Sequence, residues 1–83
     1  MATNYTAEIT SATHRNILLG IVDKDTSKNA VARKAGIPTT TFDRKLNGHG
    51  DFTLRELGSI AAALGLTLAD ILPVNLLATK DAA

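Results

Sequence analysis

Between Thr26 and Gly48 the chain reads TSKNAVARKAGIPTTTFDRKLNG, and the residues Ala35-Gly36-Ile37-Pro38 at its centre constrain the fold more than any other feature. Glycine accepts the left-handed conformation in which helices stop. Proline lacks a backbone N–H and presets φ, so it is tolerated in the first turn of a helix. Placed so close together, they require one helix to end and another to begin within a tight turn. The first fits Ser27 to Ala35, with either Thr26 or Ser27 as its cap. The second covers about Thr39 to Leu46 and is closed by Gly48. Both are very short.

Helical periodicity extends to either side. A leading helix begins after Thr6 or Thr10 and runs to about Val22, with Ile9, Ile17, Leu18 and Ile21 as its apolar face. Asp23 to Thr26 form a polar break. After the loop HGDF, Thr53-Leu54-Arg55-Glu56 is a capping box, in which the Thr and Glu side chains satisfy each other's backbone N–H groups. Leu54, Leu57, Ile60, Ala61 and Leu64 continue as a 3.6-residue stripe that ends at Gly65. Thr67 caps a last helix, TLADIL, with Leu66, Leu68, Ile71 and Leu72 as its apolar set and Pro73 as its stop. The remainder, VNLLATKDAA, is read as a docked tail over residues 74–83.

Eighty-three residues make one domain, 1–83, because so short a chain has no material for a second core. Its apolar residues are mainly Ala, Leu and Ile, with no Trp and only two Phe and one Tyr, which suits close-packed short helices and an all-α fold. No cysteine is present, so neither disulfides nor thiolate metal sites are available, in keeping with a reducing cytoplasm. MATNYTAEIT lacks a basic region followed by an apolar run, and no apolar stretch approaches the ~20 residues that span a bilayer. The expected location is the cytoplasm, associated with the nucleoid.

Net charge is only +1, but its distribution is uneven. From Lys24 to Arg55, Lys24, Lys28, Arg33, Lys34, Arg44, Lys45 and Arg55 stand against Asp25, Asp43 and Asp51, an excess of four positive charges around the central motif. On the second short helix, Phe42 and Leu46 share one side, while Thr40, Arg44 and Asn47 lie at i, i+4 and i+7 on roughly the opposite side. A helix-turn-helix needs small residues where its helices cross, a glycine in the turn, an apolar anchor after it, and polar residues facing the major groove. Ala30, Gly36, Ile37 and the Thr40/Arg44 stripe fill those roles.

The segment Ser27 to Leu72 resembles the lambda-repressor-like family, which includes phage repressors, Cro proteins and xenobiotic-response-element regulators. SKNAVARKAGIPTTTFDRKLNG, FTLRELGSIAAALG and LTLADIL carry the resemblance, in that order and spacing. It implies a compact five-helix domain with no cofactor, reading double-stranded DNA. It implies base contacts from Thr39, Thr40, Thr41 and Arg44, and phosphate contacts from Ser27, Lys28, Asn47 and Gly48. The chemistry fits: Arg matches the O6/N7 edge of guanine, and Thr offers a hydroxyl to several bases and a methyl to thymine. Thr39 serves equally as a helix start. Arg33 and Lys34 are read as surface charges.

Lys45 departs from the pattern, standing where the family often has an apolar residue; either the helix is slightly rotated or Lys45 snorkels to the edge. Asp43 and Asp51 sit close to the expected DNA, where they are expected to orient Arg44 or Arg55. His14 and His49 are too far apart to imply a metal. No paired carboxylates, nucleophile with base or glycine-rich phosphate loop points to an enzyme, and no small-molecule ligand is evident.

One reading helix covers only a few base pairs, so a homodimer on a palindromic operator is expected, with Ile71, Leu72, Val74, Leu76 and Leu77 as its surface. Completion of the monomer core is an equal use for those residues. Regulation is expected by occupancy of an operator, as in a Cro-like repressor of a phage or mobile element. The alternatives are the antitoxin half of a toxin pair, and a helical adaptor that holds a protein partner without binding DNA.

Overall fold

A computed structural model describes residues 5–73 of the chain, which form five α-helices: α1 (Tyr5–Asp23), α2 (Lys28–Ala35), α3 (Thr39–Leu46), α4 (Leu54–Leu64) and α5 (Leu68–Ile71). The all-α reading holds, and each boundary follows from capping chemistry. Ser27 caps α2, its hydroxyl oxygen accepting from the Ala30 N–H at 3.1 Å. Gly36 closes α2 at φ 76°, and its N–H and that of Ile37 return to Arg33 and Ala32. The box at Thr53 and Glu56 is formed in both directions, at 3.0 and 2.8 Å. Thr67 and Asp70 form a second one at the head of α5, and Thr67 holds the Asp70 carboxyl below its ordinary pKa by hydrogen bonding.

Helix α1 starts earlier than expected. It is already helical at Tyr5, so Thr6 and Thr10 lie within it and neither is its cap. Its buried residues are Thr13, Ile17, Gly20 and Ile21, while Leu18 is exposed. Polar Thr13 is tolerated because its hydroxyl donates to the Ile9 carbonyl at 2.7 Å. At Gly20 a Cβ would come within 3.1 Å of a Leu64 methyl, so the glycine permits close approach of α1 to α4.

The core gathers Ile17 and Ile21 from α1, Val31 and Ala32 from α2, Phe42 and Leu46 from α3, Leu57, Ile60, Ala61 and Leu64 from α4, and Ile71 from α5. Helix α2 packs on α3 and α4, while α1 crosses α4 and α5. Ala32, fully buried, is the small residue at the α2 crossing, and Ala30 is only half-buried. Ile71 is 0% exposed, which removes it from any surface between copies; Leu72 is half-buried against the core. Val74, Leu76 and Leu77 lie outside the described residues. The Asn16 amide donates to the Ile71 carbonyl at 2.7 Å, tying α1 to the end of α5.

Leu54 and Leu57 belong to one stripe by spacing, but Leu54 is 66% exposed and Leu57 only 9%. Leu57→Ala is expected to cost about 2–5 kcal/mol of stability and Leu54→Ala under about 0.5 kcal/mol. Urea unfolding of the two variants checks the difference; equal losses would contradict this packing.

Candidate nucleic-acid interface

The helix-turn-helix is formed by α2, the turn Gly36-Ile37-Pro38, and α3. Ile37 is buried at 6% exposure and anchors the turn, and Pro38 precedes the first helical residue of α3 in extended conformation. Phe42 and Leu46 seat one side of α3 in the core at 1% and 7% exposure. The other side carries Thr40, Asp43, Arg44 and Asn47, all exposed, with Thr39 and Thr41 half-buried at its edges. No side chain caps the start of α3, so the positive end of its dipole has no side-chain acceptor.

The phosphate set is more constrained than the resemblance implied. Ser27 spends its oxygen on the α2 cap but keeps its hydroxyl hydrogen to donate. Lys28 opens α2 and donates to Asp43 Oδ1 at 3.2 Å. Asn47 donates through Nδ2 to the other oxygen of the same carboxylate at 3.3 Å. Gly48, at φ 92°, donates its N–H to the Lys45 carbonyl, and the His49 N–H goes to Arg44. Those groups close α3, so backbone donation to phosphate at Gly48 is not available in this conformation. Asp43 faces Lys28 and Asn47 instead of orienting Arg44 or Arg55 as expected.

Lys45 does snorkel. Its ammonium donates to both Glu56 oxygens at 2.9 and 3.1 Å and lies 5.9 Å from the Phe52 ring centroid. Phe52 in turn packs on Phe42 at 5.6 Å and edge-on to His14 at 5.5 Å. A salt-bridged lysine thus covers the core edge where an apolar residue would otherwise stand. Burial pulls the His14 pKa down, with Asp51 opposing.

Sequence reading missed Val31, the Lys45–Glu56–Phe52 cluster, and Arg15. Arg15, on α1, lines a shallow groove with Asn47 and Gly48, which brings another cation to the edge of the reading surface. The sequence offers no signal for this, since Arg15 lies far from the motif along the chain. Among the described residues, the ion pairs are Lys28–Asp43 and Lys45–Glu56, so Arg44 stands outside both.

This geometry, a buried face opposite an exposed polar stripe on the second helix of a helix-turn-helix, defines a DNA-binding domain. The family model for the Cro/C1-type helix-turn-helix DNA-binding domain matches residues 20–75, and the chain belongs to that family. No curated protein and no solved structure matches the chain significantly.

The Lys45 hydrogen bond is the largest cause of the lowered Glu56 pKa, followed by the Thr53 N–H. A carboxylate with a depressed folded-state pKa stabilises the fold above its unfolded pKa, and that contribution is lost as pH falls through the folded value. The stability gap between wild type and Glu56→Gln is therefore expected to be full near about pH 7 and to close towards about pH 3. Denaturant midpoints across that range check it; a gap independent of pH would show that the charge plays no part.

Proposed function

We propose that the chain is a sequence-specific transcriptional regulator that binds double-stranded DNA and acts as a compact, Cro-like repressor by occupying an operator. The observation that carries this reading is the division of α3: Phe42 and Leu46 are fixed in the core, and Thr40, Arg44 and Asn47 are exposed along the opposite side. The start of α3 enters the major groove, where Arg44 pairs with the O6/N7 edge of guanine and the three threonines contact neighbouring bases. Ser27, Lys28 and Asn47 hold the flanking phosphates and set the register. Gly48 contributes by shaping the turn that aims Asn47.

The protein works as a homodimer on a palindromic site in the nucleoid, since two reading helices ~34 Å apart match successive turns of DNA. Leu72 is the described residue retained for the dimer surface, with Val74, Leu76 and Leu77 following it in the sequence. A phage or mobile element is the setting that the resemblance to phage repressors and Cro proteins suggests.

Selection of bound sequences from a random pool is expected to return a palindrome. Arg44→Ala is expected to cost about 1–3 kcal/mol on that site and to relax the preference at one base pair per half-site. Unchanged affinity would place the function elsewhere, as an adaptor requires. Two or three cations per protomer, Lys28 and Arg44 among them, neutralise roughly 4–6 phosphates per dimer, so a log–log salt slope of about −4 to −5 is expected. A flat salt response would reject the interface.

A further inference from the structure

The side chain that a DNA reading leaves unexplained is Asp43. It lies in the outward stripe of α3 beside Arg44, and its side chain is 54% exposed. A carboxylate here is repelled by phosphate, yet it sits at the centre of the surface. Each of its oxygens has its own partner: Oδ1 accepts from Lys28 Nζ at 3.2 Å, and Oδ2 accepts from Asn47 Nδ2 at 3.3 Å. Lys28 begins α2 and Asn47 follows the end of α3, and both are assigned to phosphate. In the protein without DNA, one carboxylate therefore engages the donors that two phosphates would take.

We propose that Asp43 is a specificity-determining residue, which keeps Lys28 and Asn47 from phosphate until its own carboxylate meets the N4 amino group of a cytosine in the major groove. The inference rests on the DNA-binding reading above. Its physical basis is the sorting of base edges. Cytosine presents an amino donor that a carboxylate accepts, whereas guanine O6 and N7 and thymine O4 are acceptors that repel it, and the adenine N6 donor is flanked by the repelling N7 acceptor. On non-cognate DNA, releasing Lys28 and Asn47 leaves Asp43 unpaired beside the phosphates, which is unfavourable. On a cognate site the one N4 hydrogen of cytosine outside the base pair bonds one carboxylate oxygen, water takes the other, and the lysine and asparagine are handed to the backbone. The pair itself is exposed and weak, so exchange is easy. Discrimination arises from what the carboxylate meets afterwards. Arg44 is adjacent to Asp43 and favours guanine, so the two side chains together select a G·C-containing step.

The test uses the full chain and two variants, Asp43→Asn and Asp43→Glu, titrated against the selected site and a random duplex of equal length at several salt concentrations. Circular dichroism melts verify folding. In Asp43→Asn, Lys28 contributes its charge uncompensated, so binding to the random duplex tightens about tenfold and its salt slope steepens by about 0.9 per bound protomer. The ratio of selected-site to random-duplex affinity falls roughly 10- to 100-fold. Asp43→Glu keeps the charge but displaces it, so the random-duplex slope stays at the wild-type value while the preference at one position changes. An Asp43→Asn variant whose affinity ratio is unchanged overturns this inference and leaves the DNA reading standing. A wild-type chain that binds neither duplex overturns the DNA reading, and the inference with it.

Discussion

An eight-residue helix has no stability of its own in water, because nucleation costs more than so few hydrogen bonds return. Everything α3 presents to solvent is consequently set by the burial of Phe42 and Leu46. Those side chains fix the rotation of the helix about its axis, and Ile37 fixes where it starts. The edge of this seat is held by Phe52, packed at a tilt against Phe42, and by the Lys45–Glu56 pair. Glu56 is shared: the same carboxylate completes the capping box of α4 and receives Lys45 from α3. The end of the reading helix and the start of its support are thereby joined through one side chain. A helix presented in this way suits the DNA-binding family to which the chain belongs.

Charge plays a different part from the one that net charge alone would assign. An overall +1 gives little general attraction to a polyanion. The local excess is itself partly neutralised, since Lys28 and Lys45 are paired with carboxylates in the folded chain. Less uncompensated charge is thereby available to a polyanion than the count of cations suggests. Arg44 stands outside both pairs.

The parts of this structure legible in the sequence are those written in local chemistry. Gly36, Gly65, Ser27, Thr53 and Thr67 each act at a helix end through their own backbone or hydroxyl, so their positions alone place the boundaries. The inward and outward sides of α3 follow from spacing because the helix is strongly two-faced. Helix α1 was less legible for the same reason in reverse. Its buried stripe runs through Thr13 and Gly20, which no apolar count selects, while Leu18, Leu19 and Val22 are exposed. Contacts between distant residues were not legible at all. Asn16 with the Ile71 carbonyl, Lys28 with Asp43 and Arg15 beside Asn47 depend on how helices are placed in space.

The division between support and display has a consequence for how such a chain changes its target. Ile17, Ile60 and Ile71 are wholly buried on α1, α4 and α5, and none belongs to the reading surface. Thr40 and Arg44 are exposed and make no contact that the core requires. On the proposed reading, substitution at those positions changes the DNA-facing surface at little cost in stability, because surface changes away from caps and charge pairs are small. Asp43 and Asn47 are the exception. They are linked to each other and, through Lys28, to α2, so a change at either redistributes donors across the whole surface. The exposed surface is therefore independent of the core at Thr40 and Arg44 and coupled at the end of α3, where the Asp43 carboxylate links both helices of the motif.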